Sequence, residues 1–146
     1  MTSDIDRQRA EKVLEAAGLD ALVIAEPEGF ATVTGASPGV PSLFRRAGAA
    51  LALLPADPAL SLGAVATDLA VQGLASQGVD TISHLSWVDV ADFPEGSLED
   101  AVAATIGRRG ADFRRPTTFD PEQAFADLAD LLFARGLHKA RIGLDL

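Results

Sequence analysis

Gly35-Ala36-Ser37-Pro38-Gly39 fits G-x-S-x-G, the turn that presents the nucleophile of a serine hydrolase. That chemistry asks the residue after the serine for a backbone N–H, as an oxyanion-hole donor. Pro38 has no N–H to give. The elbow also needs a strand before it and a helix after it. Residues 31–34 make a poor strand, and Val40-Pro41-Ser42 is no helix start. The pentapeptide reads as a loop.

The other chemistry-bearing residues form no constellation. His84 and His138 are the only histidines, and neither has a metal-binding partner at i+3 or i+4. Each reads as a surface or half-buried side chain. Asp127 and Asp130 lie three apart on a helix, on what reads as its solvent side, and Asp89 and Asp92 share that spacing. Two carboxylates alone hold a hard cation poorly. The doublets Arg45-Arg46, Arg108-Arg109 and Arg114-Arg115 suit anions, although most such doublets are simply solvated. Arg45-Arg46 stands out, because it follows a Gly/Pro-rich loop and leads into a buried strand, where ligand contacts concentrate. Trp87, the only Trp, reads as a core residue, with an exposed aromatic anchor as the alternative. Neither G-x-G-x-x-G nor G-x-x-x-x-G-K-[ST] occurs, so no dinucleotide or P-loop site is supported.

The elements that would position these residues follow one phrase: helix, glycine, strand. The first helix is expected from about Asp4 to Ala17, capped by Ser3, with Ala10, Val13, Leu14 and Ala17 as its apolar stripe. Gly18 closes it and Leu19 packs back. Residues 21–25 are apolar on both faces, as in a strand covered by helices on both sides. Pro27 starts a short helix ending near Thr34-Gly35. Residues 49–54 form a second buried strand, and the tight turn at residues 55–58 makes the next strand its antiparallel neighbour, so the sheet is mixed. Asp68 to Gln77 is a weaker helix, Gly78 stops it, and residues 79–83 are a strand. Leu85 to Pro94 is ambiguous. Ser97 opens a short helix to about Arg108. In the last helix Asp120 is the N-cap, Pro121 sits at N1 and Gln123 completes a capping-box pattern. Phe125, Leu128, Ala129 and Leu132 form its expected buried stripe. Gly136 closes that helix, and the chain runs on into Arg141-Ile142-Gly143-Leu144-Asp145.

Composition narrows the function. A chain of 146 residues is one domain by length. With 21 Asp and Glu against 12 Lys and Arg, its net charge is -9, which disfavours nucleic acid and anionic membrane surfaces. The absence of Cys removes disulfides, thiolate metal sites and a cysteine nucleophile. The first residues form no signal peptide, and no apolar run approaches the ~20 residues that span a bilayer. A cytoplasmic location is expected.

The order of these signals resembles a known family. Ala16-Ala17-Gly18-Leu19-Asp20-Ala21-Leu22-Val23-Ile24, then Pro27-Glu28-Gly29-Phe30, then Thr34-Gly35, then a basic loop into residues 50–57, and finally Gly136-Leu137 and Ala140-Arg141-Ile142-Gly143-Leu144-Asp145 carry the likeness. Together they are similar to the N-terminal domain of the creatinase/prolidase/Xaa-Pro aminopeptidase family, the pita-bread metallohydrolases. The chain departs from the family pattern at Thr32-Val33-Thr34-Gly35, where an aromatic is usual, and in a longer segment from Pro94 to Arg115.

The resemblance implies an α/β fold, a three-layer mixed β-sheet flanked by helices with a ribonuclease H-like motif. It implies a single N-terminal domain over residues 1–146, with the catalytic domain following it. That second domain carries a dinuclear site of two Asp, one His and two Glu, and none of these ligands matches a residue here. No catalytic residue, metal ligand or cofactor is therefore expected in this chain, and divalent metal ions are expected only in the catalytic domain. The expected partners are a second copy, in a homodimer, and the chain's own catalytic domain. Phe44, Arg45 and Arg46 correspond by position to the loop that reaches substrate in creatinase-like members. The implied role is a non-catalytic domain of a metal-dependent C–N hydrolase that assists oligomerisation and substrate access. The alternative is a stand-alone α/β domain that binds a small molecule or a partner.

Overall fold

The computed structural model describes residues 5–39, 42, 48–84, 96–110, 112 and 120–145. The chain divides into a main unit, residues 1–86 with 119–146, and a smaller unit, residues 87–118. The main unit is α/β. Its helices are α1 (Arg7–Ala16), α2 (Pro27–Thr34), α3 (Val71–Ser76, entered through a 3-10 turn, Asp68–Ala70) and α5 (Pro121–Ala134). Its strands are β1 (Ala21–Ile24), β2 (Leu51–Pro55), β3 (Gly63–Thr67), β4 (Asp80–His84) and β5 (Ile142–Asp145). Of the smaller unit, one helix is described, α4 (Leu98–Gly107), with Ser97 Oγ accepting the Asp100 N–H at 3.1 Å.

The five strands form one mixed sheet in the order β4-β3-β2-β1-β5. β1 pairs antiparallel with β2, and β2 with β3. β1 and β5 are parallel, as are β3 and β4. The first and last strands of the sequence are thus neighbours, with Ala21 opposite Ile142 and Ile24 opposite Asp145.

Alternation sorts the sheet's side chains into two cores. Ile24, Ala52, Leu54, Ala64 and Ala66 meet Leu14, Phe30, Val33 and Leu74 of α1, α2 and α3. Ala21, Val23, Leu51, Leu53 and Val65 meet Ala124, Leu128 and Leu131 of α5. Strands buried on both faces read as continuous apolar runs, which explains residues 21–25 and 50–54.

The recurring glycine phrase has one geometry. Gly18, Gly78 and Gly136 have φ of 68°, 69° and 71°. In each turn the residue after the glycine donates its N–H five positions back, Leu19 to Leu14 (2.8 Å), Val79 to Leu74 (3.1 Å) and Leu137 to Leu132 (2.9 Å). The glycines donate to Glu15, Ala75 and Phe133. This is the Schellman closure, with a leucine and an apolar residue facing each other across it every time.

Several expectations are corrected. The N-cap of α1 is Asp6, whose Oδ1 accepts the Arg9 N–H at 3.1 Å, and the expected cap Ser3 lies outside the described residues. Val13 is 60% exposed, so the stripe of α1 narrows to Leu14 with Ala10 beside it. The third strand begins at Gly63, after a longer turn. On α5 the buried face is Ala124, Asp127, Leu128 and Leu131, while Phe125 is 43% exposed. The helix is rotated so that its small Ala124, fully buried, meets the sheet. Asp127, expected on the solvent side, turns inward at 9% exposure, its Oδ1 accepting the Gln123 Nε2–H at 2.7 Å. Gln123 thus gives its amide to Asp127. The N-cap itself holds, Asp120 Oδ1 accepting the N–H groups of Glu122 (3.1 Å) and Gln123 (3.2 Å).

Candidate functional site

The strand directions give the sheet two unlike ends. β1, β3, β4 and β5 all run the same way, so their carboxyl ends share one end of the sheet, and β2 starts there. In sheets of this type ligands bind outside the carboxyl ends of the strands.

At that end β1 gives way to Glu26 and the first turn of α2. Pro27 occupies N1, where its missing N–H costs nothing, and no side chain caps the turn. Gly29 lies against the end of β5: a Cβ there would come 2.7 Å from Ile24 Cγ2 and 3.1 Å from Asp145 Oδ2. The Asp145 carboxylate therefore lies against a helix N-terminus, where a negative charge is favoured. Its carbonyl accepts the Ala25 N–H at 3.1 Å.

α2 ends at Gly35, in the left-handed region with φ 70°. The fully buried Thr34 holds this exit. Its hydroxyl lies 2.8 Å from the Phe30 carbonyl, and its Oγ1 accepts the Ala36 N–H at 3.2 Å. Ser37 is exposed and its Oγ accepts the Gly39 N–H at 3.1 Å, while Pro38 is fully buried. A helix precedes Ser37 where a nucleophile elbow needs a strand, so the serine-hydrolase reading fails on structure as well as on Pro38.

The chain returns at Gly48, whose N–H donates to the Ala25 carbonyl at 3.4 Å. Phe44, Arg45 and Arg46 fall between these anchors and lie outside the described residues, as do Trp87, Asp89, Asp92, Arg114 and Arg115. The described residues on either side are Gly39, beyond the end of α2, and Gly48, held at the carboxyl end of β1.

The opposite end of the sheet is built from tied turns. Asp20 joins three of them. Its N–H donates to the Arg141 carbonyl (2.9 Å), its Oδ2 accepts the Arg141 N–H (2.7 Å), and its own carbonyl accepts the Ala56 N–H (2.9 Å). Two arginines hold the turn between β2 and β3. Arg7 Nη2 donates to the carbonyls of Asp57 (3.0 Å) and Leu60 (3.1 Å). Burial pushes the Arg7 guanidinium below the usual arginine range, against the upward pull of Asp57 and Glu11. On the other face Arg135, its side chain only 8% exposed, pairs with Asp80 Oδ2 at 2.9 Å and lies 3.3 Å from Ser61 Oγ. A cleft of about 520 Å³ opens between these turns, and its charged lining is Glu11, Glu15, Asp20, Asp57 and Arg141.

Sequence reasoning missed Arg7, Asp20 and Arg135. The one signal for Arg135 was Gly63: a Cβ there would come 2.8 Å from Leu131 Cδ2 and 3.2 Å from the Arg135 Nη2. His138 stacks at a tilt on Phe133, with ring centroids 5.2 Å apart. His84 is placed by its backbone, opposite Thr67. Among the described residues no group of three or more His, Cys, Asp and Glu is placed to hold a metal ion, and no helix is long and apolar enough to cross a membrane.

No family model, curated protein or solved structure matches the chain.

Proposed function

We propose that the chain is a non-catalytic domain of the creatinase/prolidase N-terminal type, serving a metal-dependent hydrolase of C–N bonds. One observation supports the reading above the others. The separate segments that carry the family resemblance converge in space. The Gly-Leu-Asp-Ala-Leu-Val segment and the closing Arg-Ile-Gly segment become β1 and β5, paired in parallel over their whole length. The Pro27 to Thr34-Gly35 segment becomes α2, which starts where β1 ends and sends its loop back to Ala25.

In this reading the loop of Phe44, Arg45 and Arg46 faces substrate from the carboxyl end of the sheet. An arginine there meets a substrate carboxylate through a bidentate pair. The metal ions and their Asp, His and Glu ligands belong to the following catalytic domain, and the working unit is a homodimer.

The codons after Leu146 test the reading most directly. A frame that continues into a domain with two Asp, one His and two Glu supports it, and an immediate stop codon overturns it. In the two-domain enzyme, Arg45→Ala with Arg46→Ala is expected to raise KM while leaving kcat nearly unchanged. Unaltered kinetics would remove the substrate role of the loop.

A further inference from the structure

Among the described residues β5 is an edge strand, paired with β1 and open on its other side. An open edge presents unpaired N–H and C=O groups and is a template for another strand unless something blunts it. Nothing in Ile142-Gly143-Leu144-Asp145 does so, since the strand has no proline, no lysine and no bulge in its register. Its partner β1 is almost wholly buried, whereas Leu144 is 48% exposed.

We propose that β5 is the contact surface for a second copy of this chain, the two β5 strands pairing antiparallel about a twofold axis at Gly143. Arg141-Ile142-Gly143-Leu144-Asp145 is complementary to itself when reversed. Arg141 then faces the partner's Asp145, Ile142 faces the partner's Leu144, and Gly143 faces the partner's Gly143.

Three independent features agree with that register. The first is direction. The Asp145 carbonyl is bound to Ala25 of β1, so by strand alternation Leu144 and Ile142 send their N–H and C=O groups to the open side. These are the residues that must exchange hydrogen bonds across the axis. The second is the axis itself. Gly143 falls at the non-hydrogen-bonded pair, where backbones come closest. On the α1 side a Cβ at this position would come 2.7 Å from Leu19 Cδ1 and 3.0 Å from Leu22 Cδ1. The third is charge. Arg141, 73% exposed and only 4.0 Å from Asp20 through its Nε, is free to turn to the partner's carboxylate. Opposite charges directly across a strand pair are stabilising and like charges are not. On the other edge strand, β4, the Asp80 carboxylate is in an ion pair with Arg135, whereas Asp145 of β5 lies against the first turn of α2, where a negative charge is favoured.

The inference names a surface for the homodimer but rests on β5 alone, so its failure would leave the hydrolase reading standing. So short a strand pair buries less than the ~800 Å² per partner of a stable interface, so the dimer is weak and concentration-dependent.

The test is sedimentation equilibrium of the chain in 0.15 M salt, which screens its net charge of -9. A monomer–dimer equilibrium is expected. Asp145→Arg sets two arginines against each other twice and should weaken it about tenfold or more. Arg141→Asp combined with Asp145→Arg should restore it. Leu144→Pro removes an outward N–H and no bond to β1, so it should abolish the dimer while circular dichroism stays native. A chain that is monomeric up to its solubility limit overturns the proposal. So does a dimer indifferent to both Asp145→Arg and Leu144→Pro, and the proline variant decides if the charge-swapped double variant fails to fold.

Discussion

The two ends of the sheet are built on different principles. At the amino end of β1, Asp20, Arg7 and Arg135 tie every neighbouring turn to another element through backbone carbonyls and amides. At the carboxyl end, α2 begins without a side-chain cap, and the loop from Gly39 is tied back by the Gly48 amide on Ala25. The lesson is a division of labour. Polar side chains at the first end are committed to holding the fold, and in the proposed function the second end's loop is the one that meets substrate.

Substitutions that break this contrast rank by how much each removes. Arg135→Ala is expected to cost the most, about 2 kcal/mol in denaturant unfolding. It deletes buried packing over Gly63 and the hydrogen bonds to Ser61, while the exposed Asp80 it leaves behind is solvated. Asp20→Ala should follow at about 1–2 kcal/mol, the usual cost of losing a carboxylate that accepts a backbone N–H. Gly78→Ala and Gly136→Ala should each cost about 1 kcal/mol, because space for a Cβ is open and only the left-handed backbone resists. Gly18→Ala sharpens the comparison. Its Cβ would meet Arg141 Nη1 at 3.2 Å, but that guanidinium ends an exposed side chain and can move aside, so the cost should match the other two. At the carboxyl end, Arg45→Ala with Arg46→Ala should stay within about 0.5 kcal/mol of the parent in the same measurement. A larger loss would show that this loop too is structural.

Much of this architecture was readable from residue types. The glycine stops were legible because only glycine adopts a left-handed φ cheaply, and each is flanked by the apolar pair that the closure needs. Residues 21–25 and 50–54 were legible as doubly covered strands. The rotation of α5 was not, since a period-3.6 pattern allows a shift of one residue when both Ala124 and Phe125 are apolar. Asp127 in particular looked solvated, and the Gln123 amide, one helical turn back, helps to make its inward turn tolerable. Arg7 and Arg135 were invisible for a general reason. They bind carbonyls, which every residue carries, so sequence offers no partner to look for. Phe44, Arg45 and Arg46 were assigned by position alone, between Thr34-Gly35 and β2, and lie outside the described residues.

The order β4-β3-β2-β1-β5 also has a consequence for biosynthesis. The first strand made sits between β2 and the last strand made, 121 residues apart at the Asp20–Arg141 bond. As the chain leaves the ribosome, β1 can dock on β2 early, but its other edge stays bare until Ile142–Asp145 emerge. Pairing of such high contact order is slow to form and exposed to wrong partners meanwhile. The sheet is finished only when β5 arrives, so a nascent chain stalled before residue 142 should be a better chaperone client than one whose residues 142–145 have emerged.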